Sequence, residues 1–222
     1  MAIRHIIFDC DGVLVDSEPL SMKVDQELLA ESGIMMSEEE VTRRFVGFTF
    51  AALIAKIEAE FGIRLPQGIS AEKDRRLLAL YEHELNATDG ALDAVRSIGL
   101  PKSVASNSPR QRVEAAFRIT GLDPYFNGRI TTFEDVRAGK PAPDIYLLAS
   151  ERAGVAPSEC VVIEDSAAGV ASAVAAGCQV IGFAGLARER ETEAAILTKL
   201  GARTVMFSLY GLPAILAAAG SH

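Results

Sequence analysis

Four short stretches of almost uninterrupted apolar residues divide this chain: Ile3-Arg4-His5-Ile6-Ile7-Phe8, Ser103-Val104-Ala105, Cys160-Val161-Val162-Ile163 and Gln179-Val180-Ile181-Gly182-Phe183. Runs this short and this apolar are the pattern of strands covered on both faces. Between and beside them, helical patterns run from Pro109 to Thr120, from Pro143 to Ala153 and from Ser166 to Ala176. Gly121, Gly154 and Gly177 follow these three stretches, where a helix end favours a left-handed residue. Strand alternating with helix predicts an α/β fold built on a doubly wound parallel sheet.

From about residue 17 to residue 87 the alternation stops and only helical patterns remain. Leu20, Val24 and Leu28 fall at i, i+4 and i+8, and Gly33 ends that helix. Ser37 and Glu40 make a capping-box signature ahead of Val41 and Phe45. Further amphipathic stretches run from Thr49 to Phe61 and from Ser70 to Leu85. The predicted organisation is a core domain of 1–16 and 88–222 with an all-helical cap domain inserted at 17–87. Placed straight after the first strand, the insert is expected over the C-terminal sheet edge, where open α/β sheets bind ligands.

Composition narrows the partners. Hydrophobic residues make up 49% and charged residues 23%, an ordinary globular balance, and the formal net charge is −8. With no basic run of five or more residues, nucleic acid and anionic membrane surfaces are not expected partners. Cys10, Cys160 and Cys178 form no CxxC or Cys/His cluster, which predicts a cytoplasmic protein without structural disulfide or zinc site. No signal-peptide pattern opens the chain, because Arg4, His5 and Asp9 interrupt the first apolar stretch. Ser166 to Ala187 holds 22 residues without a charge, but Ala, Gly and Ser dominate it. A buried helix, a turn and a buried strand explain it better than a membrane span.

Candidate chemistry sits at the ends of the strand patterns. Asp9 and Asp11 follow the first one; on an extended chain i and i+2 project to one side, and two carboxylates so placed need a cation or a shared proton. An acidic turn is the plain alternative. A calcium loop is not: its sixth and twelfth positions would be Leu14 and Leu20 rather than Gly and Glu. Glu164-Asp165 ends another strand run, so two parallel strands would deliver carboxylates to one edge, an oxygen-rich site suited to Mg²⁺; a helix N-cap is the alternative. Ser106-Asn107 precedes a helix and fits either a phosphate cradle or an N-cap. Lys140, in Gly139-Lys140-Pro141-Ala142-Pro143-Asp144, is either a solvated lysine or the cation that neutralises phosphate and aspartates.

In this order the motifs resemble the haloacid dehalogenase superfamily. Asp9-Cys10-Asp11-Gly12-Val13-Leu14-Val15-Asp16-Ser17-Glu18, Gly139-Lys140-Pro141-Ala142-Pro143-Asp144-Ile145-Tyr146 and Glu164-Asp165-Ser166-Ala167-Ala168-Gly169 are similar to its subgroup with a helical cap after strand one. That subgroup includes β-phosphoglucomutase and sugar-phosphate and phosphoglycolate phosphatases. The resemblance implies a Rossmann-like core and a magnesium-dependent phosphatase acting through an aspartyl-phosphate. It makes Asp9 the nucleophile and Asp11 the general acid/base, with Ser106 and Lys140 on the phosphate beside Gly12 and Asn107. It implies a metal held by Asp9, Asp165, Glu164 and the backbone carbonyl of Asp11, and substrate contacts from the cap through Arg44 and Gly47. The expected partner is a small phosphorylated metabolite, the protein being a monomer or weak homodimer.

A phosphosugar mutase is the alternative. Its cap loop carries a Lys just before a glycine and an Arg three residues after, where this chain has Val46 and Phe50 around Gly47. Arg43 and Arg44 precede that loop and offer compensating cations or a solvated helix face. A phospho-accepting receiver domain is a remoter alternative, since receivers lack a helical insert after strand one.

Overall fold

The computed structural model describes residues 2–37, 40 and 50–219. Two compact units result, Met1–Asp16 with Asn86–His222, and Ser17–Leu85. The chain rejoins the first unit two residues before position 88. There Asn86 O accepts the Asp16 N–H at 3.1 Å, Ala87 bridges Val15, and the Thr88 N–H donates to Leu14 O at 3.0 Å.

The first unit is a six-stranded parallel sheet. Its strands are β1 (His5–Phe8), β2 (Lys102–Ser106), β3 (Ile130–Thr132), β4 (Cys160–Glu164), β5 (Gln179–Phe183) and β6 (Thr204–Met206). Their order is β3-β2-β1-β4-β5-β6, the doubly wound arrangement, so the order reverses between β1 and β4. In register, Phe8 stands beside Val104 on one side and Ile163 on the other. Residues following those three positions therefore emerge at one sheet edge.

Helices α4 (Ala91–Ser97), α5 (Arg110–Thr120), α6 (Asp123–Phe126), α7 (Asp144–Ala153), α8 (Ala167–Ala175), α9 (Arg190–Lys199) and α10 (Leu212–Ala219) complete the unit. Gly121 and Gly154 end α5 and α7 in the left-handed conformation that the pattern predicts. Ile7, Ala105, Val162, Ile145, Val170 and Ala173 share one buried cluster. Phe8 meets Phe126 edge-on at 5.9 Å, and Phe126 packs on Phe117 at 4.8 Å. All three cysteines are buried free thiols. Among the described residues, no helix is long and apolar enough to cross a membrane.

The second unit contains α1 (Glu18–Glu31), α2 (Phe50–Phe61) and α3 (Ile69–Glu84). Leu20, Val24 and Leu28 are buried, as their spacing predicts. The Ser37 hydroxyl accepts the Glu40 N–H at 3.1 Å, while Val41 and Phe45 lie outside the described residues. Asp25 of α1 and Lys73 of α3 form a buried pair at 2.6 Å.

His5 opens β1 and is buried, its Nε2 2.8 Å from Ser103 Oγ. Burial first, then the charges of Arg129 and Lys102, push its pKa down to about 4. An unfolded histidine titrates near 6.5, so between these values only the unfolded chain binds the proton. The neutral imidazole's contribution is therefore complete above about pH 6.5 and is lost as pH falls through about 4, by up to roughly 1.4 kcal/mol per unit. Urea midpoints at pH 7 and pH 4.5 are expected to differ more for the wild type than for His5→Asn. Equal differences would contradict the shift.

Candidate active site

β1 ends at Phe8, so Asp9 is the first residue past the strand, its N–H still donating to Ile163 O at 3.0 Å. The chain then turns. Gly12, with φ +79°, donates to Val15 O at 2.9 Å, and the Leu14 and Val15 N–H groups both reach Cys10 O. The Asp9 and Asp11 carboxylates take different hydrogen-bond partners, Lys140 and Ser108, yet lie near enough for the Asp11 charge to help raise the Asp9 pKa. A Cβ at Gly12 would stand 1.9 Å from Asp165 Oδ2. Glycine there lets the loop after β1 pass directly against the loop after β4.

Lys140 is not a solvated lysine but is buried. Asn107 pins its backbone: Oδ1 accepts the Lys140 N–H at 2.9 Å, and Nδ2 donates to the Lys140 carbonyl at 3.1 Å. The ammonium donates to Asp9 Oδ1 at 2.6 Å and to Glu164 Oε1 at 2.5 Å. Burial alone would lower its pKa, but the Asp9 and Glu164 carboxylates more than offset this and hold it above the usual lysine value. For Asp9, burial pushes the carboxyl up; Lys140 opposes this while Glu164 and Asp11 add to it, leaving it at about 7.

Glu164 ends β4 with its side chain wholly buried. Its Oε1 also accepts from Tyr146 OH at 2.8 Å, and its Oε2 accepts the Ser166 N–H and Oγ–H, each at 3.0 Å. Four donors fill the roughly four acceptor positions of a carboxylate. Even so, Asp9, Glu164 and Asp165 each offer an oxygen within 4.8 Å of the others. An all-oxygen set carrying this much negative charge fits a hard divalent cation.

The Asp11 carboxylate stands outside that trio. Its Oδ2 accepts from Ser108 Oγ at 2.5 Å and from Ser106 Oγ at 3.4 Å. Ser106 Oγ accepts the Ser108 N–H at 2.9 Å, and the Arg112 guanidinium donates to Ser108 Oγ. Ser106 is therefore no helix cap: α5 begins at Arg110, with Pro109 in the cap position. Ser166 does cap, accepting the Gly169 N–H at 3.0 Å. The structure thus brings Asp9, Asp11, Gly12, Ser106, Asn107, Lys140, Glu164 and Asp165 to one sheet edge. Arg44 and Gly47 lie outside the described residues, as do Arg43 and Val46. Sequence reasoning missed Ser108, Arg112 and Tyr146. The hydroxyl repeat Ser106-Asn107-Ser108 was the available signal for the first, Tyr146 closed the Gly139–Tyr146 motif without a role assigned to it, and nothing local marks Arg112.

A doubly wound sheet with carboxylates and a buried lysine at its topological switch has the placement at which open α/β sheets bind ligands. Comparison with known proteins gives the class, a phosphoric monoester hydrolase. The model of the haloacid dehalogenase-like hydrolases matches residues 3–177. The 6-phosphogluconate phosphatase of Escherichia coli K12 is 31% identical, the match covering 82% of this chain and 82% of that protein. A β-phosphoglucomutase of Mycobacterium tuberculosis is also 31% identical, over 93% of this chain and 90% of that one. The crystal structure of a haloacid dehalogenase family hydrolase from Deinococcus radiodurans R1, with bound phosphate and sodium, superposes with a TM-score of 0.80 at 34% identity, covering 99% and 97% of the two chains. This chain belongs to the haloacid dehalogenase-like hydrolases.

Proposed function

We propose that this hydrolase acts on a small phosphomonoester, a phosphorylated sugar or sugar acid, with Asp9 as nucleophile. An Asp9 oxygen would attack phosphorus, Asp11 would protonate the departing alkoxide, and Asp11 would then take a proton from the water that opens the aspartyl-phosphate. The observation that carries this reading is the buried Lys140 ammonium 2.6 Å from Asp9 Oδ1. It keeps one carboxylate oxygen oriented and offsets the repulsion between two anions that must meet. Asp9 Oδ2 accepts no hydrogen bond from the described residues, which leaves it for the attack.

Ser106, Lys140 and the backbone around Gly12 and Asn107 would bind the phosphate. Asp9, Asp165 and the Asp11 carbonyl would hold Mg²⁺, which supplies Lewis-acid charge neutralisation when bound. Glu164, with its four donors, serves in this scheme chiefly to orient Lys140 and gives up one bond if it ligates. Similarity to a 6-phosphogluconate phosphatase supports a phosphorylated sugar or sugar acid as substrate. The helical unit Ser17–Leu85, with Arg44 and Gly47, would select it. Similarity to a β-phosphoglucomutase favours a second reading, a phosphosugar mutase. Val46 and Phe50 stand against it, because a mutase needs cations for a second phosphate. Three buried free thiols suit a reducing cytoplasm.

The test is hydrolysis of a panel of sugar phosphates and phospho-acids with magnesium, after chelation, and with magnesium restored. Chelation is expected to lower turnover by at least roughly a hundred-fold, with recovery on adding Mg²⁺ but not Na⁺. Metal-independent turnover would sink the proposal. Phosphate release much slower than isomerisation of β-glucose 1-phosphate, in the presence of its bisphosphate, would favour the mutase.

A further inference from the structure

A cleft of about 320 Å³ opens beside the edge strand β3, lined among others by His5, Ser103, Arg110, Arg129, Thr131 and Arg152. It is not part of the carboxylate site. His5 begins β1 and Asp9 lies beyond its other end, four residues or roughly 13 Å away along the strand. The cleft's charge is unlike the chain's. In a protein of net charge −8, its lining holds three arginines and no carboxylate.

These arginines come from three places: the start of α5, the residue before β3, and the last turn of α7. Bringing like charges together on one concave wall is unfavourable unless something compensates. Asp135 compensates two, pairing with Arg110 at 2.8 Å and Arg152 at 3.2 Å. Those two also have a structural task, donating to the edge-strand carbonyl of Ile130 at 3.1 and 3.3 Å. Arg129 differs. Its Nε donates to the Lys102 carbonyl at 2.8 Å, and its terminal nitrogens have no partner among the described residues. The excess charge registers on its neighbours. After burial, Arg129 is the next cause lowering the pKa of both His5 and Lys102.

The rest of the lining is neutral: Gly128, Ile130, Ala149 and Ala153 are apolar, and the polar groups are the imidazole of His5, joined through Nε2 to Ser103 Oγ, and the hydroxyl of Thr131, which accepts from Arg152 at 3.2 Å. His5 Nδ1 has no partner among the described residues. The guanidinium fork of Arg129 is exposed to solvent, so it can take an anion without giving up a protein partner, and the largely buried hydroxyl and imidazole groups beside it fit an anion carried on a hydroxyl-bearing body. The volume is that of a small-molecule site and exceeds what a bare ion needs. We propose that this cleft is a second binding site, taking a small phosphorylated metabolite whose phosphate is held by Arg129 within the field of Arg110 and Arg152.

The test follows backbone amide signals of the full chain by NMR, without magnesium, during titration with inorganic phosphate and separately with a hexose 6-phosphate. Signals of Ser103, Arg129 and Thr131 are expected to move together and to saturate, with the hexose phosphate binding several-fold more tightly. Arg129→Gln is expected to weaken that event about ten-fold, the worth of one charge-assisted contact. Arg129→Lys, which keeps the charge, should weaken it less. Both variants should leave the Gly12 signal's response and magnesium-dependent hydrolysis within about two-fold of wild type, the margin of a surface change. Motionless signals, indifference to Arg129→Gln, or equal loss in both variants would overturn the site. Equal affinity for the two ligands would overturn its assignment to a metabolite.

Discussion

Asp9→Asn is expected to lower kcat by about four orders of magnitude or more while leaving the fold intact. The amide keeps the size and shape of the carboxylate but has no oxygen nucleophilic enough to attack phosphorus. Nor should the fold resist the change. Burial already disfavours ionised Asp9, so its pKa rises to about 7. An acid whose folded pKa exceeds its unfolded value contributes stability below the unfolded value, near 3.9, that is lost as pH rises through the folded one. At pH 8 without magnesium the ionised wild-type carboxylate is a net cost, and Asn does not carry that cost. Lys140 keeps Glu164 as partner at 2.5 Å. Urea midpoints at pH 8 should therefore be equal to or above wild type, beside near-complete loss of turnover in saturating magnesium. Activity within ten-fold of wild type would exclude Asp9 as nucleophile, and excess magnesium should not restore it if attack rather than metal affinity is what was removed.

The strands that position this residue were legible because they are buried on both faces. His5–Phe8, Lys102–Ser106 and Cys160–Glu164 are buried at every position, which writes the first and last as apolar runs and leaves Val104-Ala105 at the centre of the second. β3 and β6 make no such run. Ile130-Thr131-Thr132 is buried but two-thirds threonine, and Thr204-Val205-Met206 begins at an exposed threonine. In the site, the order of Asp9, Asp11, Ser106, Lys140, Glu164 and Asp165 carried the information, since strand ends in a parallel sheet converge. What the chain did not announce were the partners that hold those groups. Tyr146 reaches Glu164 from the first turn of α7, and Ser108 with Arg112 reaches Asp11 from the start of α5. Such contacts depend on how two elements pack, which no local spacing encodes. Lys140 is the sharpest case, because a lysine in a Pro-rich loop is ordinarily solvated and here only the fold makes it a buried cation.

That burial makes Lys140→Met the second large effect, on stability as well as rate. The ammonium lies between Asp9 and Glu164, and its loop is fixed by two hydrogen bonds with Asn107, one accepted and one donated by that amide, so the backbone does not carry the gap away. Methionine fills the space but leaves two buried carboxylates facing each other, a change that costs about 3–5 kcal/mol when one partner of a buried pair is removed. Turnover should fall by roughly 10²–10³, as when a preorganised charge is taken from a site where negative charge gathers. The pH dependence separates this account from simple misfolding. Lys140 is the force opposing the upward shift of Asp9, so without it Asp9 holds its proton to higher pH. A folded pKa above the unfolded one gives stability that is present at low pH and lost as pH rises. The variant's deficit should thus be small at pH 5 and large at pH 8, measured by urea midpoints beside wild type. A deficit equal at the two values would mean that packing, not an uncompensated pair of carboxylates, is what Lys140 relieves.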